Sequence, residues 1–347
     1  MKCALHIGAH EELIHEYFLT MSDKWIFDYV LHKDNPIHKY ENDETFKGRT
    51  YIVTPYARSK VRNFIDTAKI LYDKRNYYQI IHAHGGRSQI LLLLWCRIIS
   101  KAKIIAHAHT TGCDCDMWHR KLLNKFCEYL FWFLCHRLLA CSENASAYLF
   151  GRRPVKILKN IINYVTFQTK RNGTVLRPTI IMMSDYIASK NHLFALDIIH
   201  DLVRDGEQEF SVQMFGEDKG TKELVRQKIN KLGLDEIITV NERILYPEKA
   251  YTKADILLMP SIFEGFGLAA VEGQVSNLIC LVSDDLPKSV KISEYIEFIS
   301  LKRKDLWVSR LKNAIETTRA LSCRNYLINS NYDSNIHGNG LLEIYED

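Results

Sequence analysis

Glu264 and Glu272 stand eight positions apart in PSIFEGFGLAAVEG, Pro260 to Gly273, on either side of a Gly-Phe-Gly turn. A carboxylate in a loop can stabilise positive charge developing on a reacting carbon. A second carboxylate, about one turn into a helix, can accept hydrogen bonds from vicinal hydroxyls such as those of a ribose. Gly265 and Gly267 lack Cβ atoms, so the backbone between them can approach a ligand closely. The preceding ADILLMPS reads as a buried strand and LAAVEGQVSN as the following helix. The loop between them therefore feeds a helix N-terminus, where free N–H groups and the helix dipole favour a phosphate. A plainer reading, a carboxylate complementing the dipole and glycines serving only the turn, accounts for one lone glutamate. It does not account for the whole combination.

Such a loop needs a scaffold, and the chain supplies one. Strand-like runs KCALHI, WIFDYVLH, RTYIVTP, YQIIHAH, AKIIAHAHT and LLACS alternate with helical patterns such as KVRNFIDTAKILYDKR and SQILLLLWCRIIS. Short, continuously apolar strands separated by helices indicate a parallel sheet covered on both faces. The pattern lapses over residues 160–178, where a linker is expected. It then restarts with TIIMMSDY, NHLFALDIIHDLVRDG, FSVQMFG, TKELVRQKINKLG, IITV, PEKAYTKA and DILLMP, and continues through ICLVSD and LWVSRLKNAIETTRA. The expected fold class is α/β: two Rossmann-like, doubly wound lobes facing each other across a cleft, the default place for a ligand.

The totals agree. A chain of 347 residues usually divides into two domains. A formal charge of +5 is too weak to argue for nucleic acid, and none is expected as a partner. Nine cysteines without a C-x-x-C point to reduced thiols in a cytoplasmic protein. The opening MKCALHIGAHEE lacks the apolar run of a signal peptide, and no stretch is apolar enough for a transmembrane helix.

PSIFEGFGLAAVEG resembles the E-x7-E signature of family 4 glycosyltransferases, retaining enzymes that use nucleotide sugars and have the GT-B fold. The resemblance covers nearly the whole chain. IIHAHGG, KIIAHAHTT and ACSENASAYLFG resemble the N-terminal lobe of the family's capsular and exopolysaccharide branch, and SKNHLFALDII the start of its donor lobe. It implies an acceptor lobe over residues 1–165, a nucleotide-sugar lobe over 166–325, and a helical segment, 326–347, crossing back to the first lobe.

By this resemblance Glu264 contacts the donor sugar near the reacting carbon and Glu272 holds the ribose hydroxyls. The backbone from Gly265 through Phe266 and Gly267 to Leu268 lies against the diphosphate and sugar, and Ser261 opens the same loop. Lys190 matches the family's lysine for the leaving diphosphate; the bland alternative is a solvated lysine at a helix start. The arginine usual five positions earlier is replaced by Asp185. A carboxylate about 4 Å from the diphosphate would cost on the order of 4 kcal/mol at an effective dielectric of 20. Either Asp185 points away, or another cation such as Arg243 or Lys222 substitutes, or donor binding is weakened or lost. In the first lobe Gly8 matches the family's phosphate-approaching Gly-Gly turn, whereas Ala9 does not. His109 matches a histidine often found near the donor sugar, with a catalytic role. His84 ends the preceding strand on the acceptor side. For both, a structural role is the alternative.

Other features carry less. Asp114 and Asp116 form an Asp-x-Asp, and Cys113, Cys115 and His119 lie beside it, but no second ligand pair accompanies them. No metal and no cofactor is expected; the nucleotide sugar, a UDP-sugar, is a co-substrate. Residues 118–140, WHRKLLNKFCEYLFWFLCHRLLA, combine aromatic and basic side chains as an interfacial helix does. That fits a lipid-linked acceptor at the inner face of the cell membrane; packing into the lobe is the alternative. The sequence thus points to a metal-independent, hexosyltransferase-type enzyme acting on a glycan or lipid-linked oligosaccharide in surface polysaccharide synthesis. A catalytically silent GT-B subunit that binds glycan or a partner is the main alternative. A sugar-nucleotide epimerase ranks last because of the E-x7-E spacing.

Overall fold

The computed structural model describes residues 2–7, 17, 21, 23–32, 48–56, 58–109, 118–168, 171–172, 175–244, 246–320, 323–324, 328–329, 331–337 and 339–347. The chain divides into two compact units, Met1–Ile162 with Tyr332–Asp347, and Asn163–Asn331. Of the segment expected to cross back, 326–347, the part Tyr332–Asp347 thus belongs to the first unit, while the second unit extends to Asn331.

The first unit is built on a seven-stranded sheet of β1 (Lys2–Ile7), β2 (Trp25–His32), β3 (Thr50–Val53), β4 (Ile80–His84), β5 (Lys103–Ala108), β6 (Arg137–Ala140) and β7 (Lys156–Ile157). Their spatial order is β3-β2-β1-β4-β5-β6-β7, and every pairing is parallel. Helices α1 (Lys60–Asp73), α2 (Ile90–Ile99), α3 (Trp118–Leu134) and α4 (Glu143–Phe150) lie between strands in the chain. Ser59 and Ser142 cap α1 and α4 by accepting from the N–H groups of Arg62 and Ala145.

Within the second unit the stretch expected as a patternless linker holds a short helix, α5 (Tyr164–Phe167), and β8 (Arg171–Asn172). Asn163 caps α5 by accepting from Thr166 N–H, a side-chain signal that hydrophobic periodicity does not reveal. The main sheet comprises β9 (Thr179–Met183), β10 (Ser211–Phe215), β11 (Ile238–Asn241), β12 (Ile256–Met259), β13 (Ile279–Ser283) and β14 (Ile296–Ile299). It is again wholly parallel, in the order β11-β10-β9-β12-β13-β14. Its helices are α6 (His192–Arg204), α7 (Lys222–Leu232), α8 (Pro247–Tyr251), α9 (Leu268–Val275) and α10 (Lys304–Ala320). β8 pairs antiparallel with β15 (Cys323–Arg324). The chain closes with α11 (Ser334–His337) and α12 (Gly340–Glu346) in the first unit. Among the described residues no helix is long and apolar enough to cross a membrane.

Both sheets reverse strand order once, at β1/β4 and at β9/β12, and such switch points open a crevice beyond the carboxyl ends of the strands. Buried polar groups fix the second of these. The Asp255 carboxylate, 1% exposed, accepts from Thr179 N–H at 2.7 Å, and Asp255 N–H donates to Thr179 C=O at 2.8 Å. At the other end of β9, Gly216 packs so closely that an added Cβ would sit 2.1 Å from the Ser184 carbonyl oxygen. That oxygen is backbone and cannot swing aside. Gly216→Ala should therefore destabilise the second unit by about 1–3 kcal/mol, read as a lowered denaturant midpoint.

His192, at the start of α6, is 2% exposed, and its Nε2 lies 3.3 Å from Ser184 Oγ. Burial, then the Lys190 ammonium, pushes its imidazole down to about 4. An unfolded histidine titrates near 6.5. Between these values the unfolded chain takes up a proton that the folded unit refuses. The stabilising contribution is therefore full above pH 6.5 and is lost as pH falls toward 4. Replacing the ring by His192→Phe removes this dependence. From pH 7 to pH 5 the wild-type unfolding free energy should fall relative to the variant's by about 2 kcal/mol. A constant difference in denaturant titrations at the two pH values would sink this assignment.

Candidate active site

β12 is apolar and buried along its whole length, and the chain leaves it through Pro260 and the buried Ser261. Ile262 N–H donates to Ser189 C=O at 2.8 Å, tying this loop to the one that follows β9. Gly267 then takes φ +93°, a conformation that side-chain-bearing residues rarely adopt, and starts α9. Among the described residues no side chain caps that helix end. Its first-turn N–H groups and the positive end of its dipole are suited to an anion.

α9 is held rigidly. The amide of Gln274, with no exposed surface, donates to Ala270 C=O and Val290 C=O and accepts from Ile292 N–H, Ser293 N–H and Ser293 Oγ. An added Cβ on Gly273 would meet Leu257 Cδ2 at 2.9 Å and Cys280 Sγ at 3.1 Å, so the helix sits close upon β12 and β13.

Both glutamates are committed to partners. Glu264 Oε1 accepts from Lys190 Nζ at 2.5 Å and from Ser261 Oγ at 3.0 Å. The side chains of the ion pair are 9% exposed at Glu264 and 23% at Lys190. At this depth the pair is screened little by water, and removal of either partner would strand a charge. Glu272 is buried, and its Oε2 accepts from the Tyr251 hydroxyl at 2.9 Å. Phe266 is buried, while Gly265 and Leu268 are partly accessible. The structure thus brings Ser261, Lys190 and Glu264 together beside the loop that runs through Gly265, Phe266, Gly267 and Leu268 to Glu272.

Asp185 has a definite task. Its Oδ1 accepts from Glu217 N–H at 3.1 Å, bracing the loop after β9 against the loop after β10. Lys222, named as a substitute cation, pairs through its ammonium with Glu242 and lies over the Tyr186 ring, 5.2 Å from its centroid. Arg243 is exposed.

In the first unit His84 and His109 join each other rather than standing alone. His84 Nδ1 and His109 Nε2 are hydrogen-bonded at 2.9 Å. They are 2% and 8% exposed. Three further histidines, not singled out by sequence, share their sheet face: His6, His82 and His107. The register pairs His6 with His82 across β1/β4 and His84 with His107 across β4/β5. The bonded series continues from His84 Nε2 to His6 Nδ1 at 2.9 Å, from His6 Nε2 to the Tyr345 hydroxyl at 3.2 Å, and from that hydroxyl to His82 Nδ1 at 2.9 Å. Burial pushes the His6 imidazole down to about 3. Burial, reinforced by neighbouring imidazoles, holds His82 and His84 well below the usual range. The His-x-His spacing in two adjacent strands was the available signal. Gly8 and the Cys113, Asp114, Cys115 and Asp116 cluster lie outside the described residues, as does the side chain of His119.

Residues 167–303 match the family Glycosyl transferases group 1. The EpsF protein of Bacillus subtilis (strain 168), a glycosyltransferase by its name, is 22% identical over 97% of this chain and 93% of its own length. The capsular polysaccharide biosynthesis glycosyltransferase CapH of Staphylococcus aureus is 23% identical over 78% of each chain. Among solved structures, Anabaena HepE in complex with UDP and glucose superposes with a TM-score of 0.74 over 100% of both chains, at 11% identity. Sucrose-phosphate synthase of Thermosynechococcus elongatus reaches 0.71 over 100% of this chain and 98% of its own, at 12% identity. The chain therefore has the GT-B fold of two Rossmann-like units, and residues 167–303, within the second unit, are similar to the group 1 glycosyl transferases.

Proposed function

We propose that the protein transfers a sugar, with retention, from a nucleotide diphosphate donor to a hydroxyl of a glycan or lipid-linked oligosaccharide in surface polysaccharide synthesis. The observation that carries this reading is the Lys190–Glu264 pair at the β9/β12 switch point, beside the uncapped start of α9. An ammonium next to an anion-seeking helix end suits a leaving diphosphate. A carboxylate at the same spot suits an oxocarbenium-like transition state. The incoming diphosphate takes over Lys190 as a partner, which turns Glu264 toward the sugar. Glu272, oriented by Tyr251, holds the ribose hydroxyls.

The acceptor proton passes to the leaving diphosphate on one face of the sugar, so no side chain acts as a covalent nucleophile. Lys190 and the helix end supply the positive charge that a metal would otherwise bring, and we read the reaction as metal-independent. HepE was solved with UDP, and a UDP-sugar is the donor inferred here. From the first unit, His109 is assigned to the donor sugar. Gly8 is assigned to the donor phosphates. His84, whose Nδ1 is bonded to His109, is assigned to orienting it.

The α3 helix supports a membrane contact, with a cytoplasmic protein resting on the inner leaflet. Leu122, Leu123, Phe126, Tyr129, Trp132 and Phe133 are all exposed on it. The Arg153 guanidinium lies over the rings of Tyr129 and Trp132, at 4.7 Å and 4.8 Å, which adds a cation beside the apolar face. An apolar stripe edged by basic groups fits an anionic lipid surface.

Two experiments test these readings. Nucleotides and nucleotide sugars are titrated into the purified chain by calorimetry and thermal shift. A UDP-sugar at 100 times its dissociation constant should add about 2.7 kcal/mol of stability, and Lys190→Ala and Glu272→Ala should lose that effect. Glu264→Gln should still bind but transfer about 10²–10³-fold more slowly. Absence of nucleotide binding at millimolar concentration would favour a catalytically silent subunit, with Asp185 in the usual arginine position. For the membrane contact, the chain should sediment with vesicles containing phosphatidylglycerol at low salt. Trp132→Ser with Phe133→Ser should release it; equal sedimentation of the double variant would refute the contact.

A further inference from the structure

We propose that the first unit binds one divalent cation of borderline softness, zinc being the reference ion, through imidazole nitrogens of His6, His82 and His84. The proposal rests on side-chain geometry and not on the transfer reaction, although His84 and its partner His109 serve in both readings.

Three observations meet at this point. The ligand nitrogens of the three residues all lie within 4.8 Å of one another, and all three side chains are buried. Tetrahedral zinc–imidazole bonds of about 2.0–2.1 Å place ligand nitrogens about 3.3 Å apart. His6 Nδ1 and His84 Nε2, now bridged at 2.9 Å, must separate by a few tenths of an ångström, and both rings must turn so that their lone pairs converge on the ion instead of facing each other. His82 Nε2 is buried and has no hydrogen-bond partner among the described residues, an arrangement that costs free energy and that a cation would relieve.

The outer contacts assign the ligand atoms. A metal-bound histidine usually donates its other ring N–H to a fixed acceptor. The Tyr345 hydroxyl already lies 2.9 Å from His82 Nδ1 and 3.2 Å from His6 Nε2. His109 Nε2 lies 2.9 Å from His84 Nδ1. His6 Nδ1, His82 Nε2 and His84 Nε2 are therefore the set that keeps every outer bond in place. On binding, the proton now shared between His6 Nδ1 and His84 Nε2 moves to the far nitrogen of its own ring, so each imidazole stays neutral. Neutral imidazoles are the form that ligates. A cavity of about 430 Å³, whose wall includes Ile7, Tyr56, Phe64, His84, Gln89 and Leu92, reaches one of the three ligands, His84. A neighbouring triad, His84, His107 and His109, shares His84 and competes for the ion. The His6 triad is favoured by the orphaned His82 nitrogen and by Tyr345.

The test uses the full chain without an affinity tag, freed of metal by chelator and dialysis. Cobalt chloride is titrated while the visible absorption of four-coordinate Co²⁺ is followed, and zinc chloride is titrated by calorimetry. One equivalent should bind. His82→Phe should abolish the band, His107→Phe should retain it, and Tyr345→Phe should weaken binding about 10–100-fold. Circular dichroism confirms that each variant is folded. No band and no heat with the folded wild type would overturn the proposal. So would binding that survives His82→Phe, or that disappears with His107→Phe alone.

Discussion

Parallel pairing at the two switch points, β1/β4 and β9/β12, is the constraint on which the remaining features rest. A strand buried on both faces can place polar side chains only near its ends or where they find partners within the fold. Where strand order reverses, the two flanking loops leave in opposite directions and a crevice opens between them. Both units use the same order, and both gather their chemistry there. In the second unit the loops after β9 and β12 carry Lys190 and Glu264. In the first, β1 and β4 carry His6, His82 and His84.

The two switch points differ in electrostatic character. The second unit holds opposite charges in contact at low exposure, and a helix dipole points at the same spot. Such a pair has partners in place before any ligand arrives, so an anionic ligand would exchange one ionic interaction for another instead of meeting a bare lysine. Asp185 is compatible with this arrangement. Its carboxylate accepts from Glu217 N–H, so its charge is spent on loop geometry. Among the described residues the first unit has no comparable ion pair in its cluster. Its imidazoles are held neutral by burial and joined nitrogen to nitrogen.

Much of this was legible in the sequence because parallel strands read as unbroken apolar runs. KCALHI and WIFDYVLH coincide with β1 and β2 residue for residue. The Glu-Gly-Phe-Gly loop was legible because its residue types are unsuited to a core strand. β14 was not picked out: IEFI mixes buried with partly exposed positions and lacks a continuous apolar run. α5 was hidden because its start rests on Asn163 and not on periodicity. The histidine cluster was half legible. His84 and His109 stand at strand ends, but the convergence of His6 and Tyr345, 339 positions apart, depends on strand register and on where α12 docks. No local pattern encodes either.

That last contact explains why the C-terminal segment belongs with the first unit. Tyr345 sits edge-on to Trp25, with ring centroids 4.9 Å apart, and its hydroxyl joins His6 and His82. Leu341 and Ile344 fill the same core cluster. Lys103 Nζ donates to Ile344 C=O near the end of α12, where a cation also complements the helix dipole. The helix is therefore fastened by apolar packing, by lysines (Lys103 on Ile344 C=O, Lys24 on Glu346 and Lys156 on Glu343) and by a hydroxyl placed among neutral imidazoles. Loss of Tyr345 would leave two buried ring nitrogens unsatisfied, at a cost beyond that of the lost packing. Anything that reorganises those imidazoles, a cation included, must act on the anchoring of the C-terminal segment, because the same hydroxyl serves both.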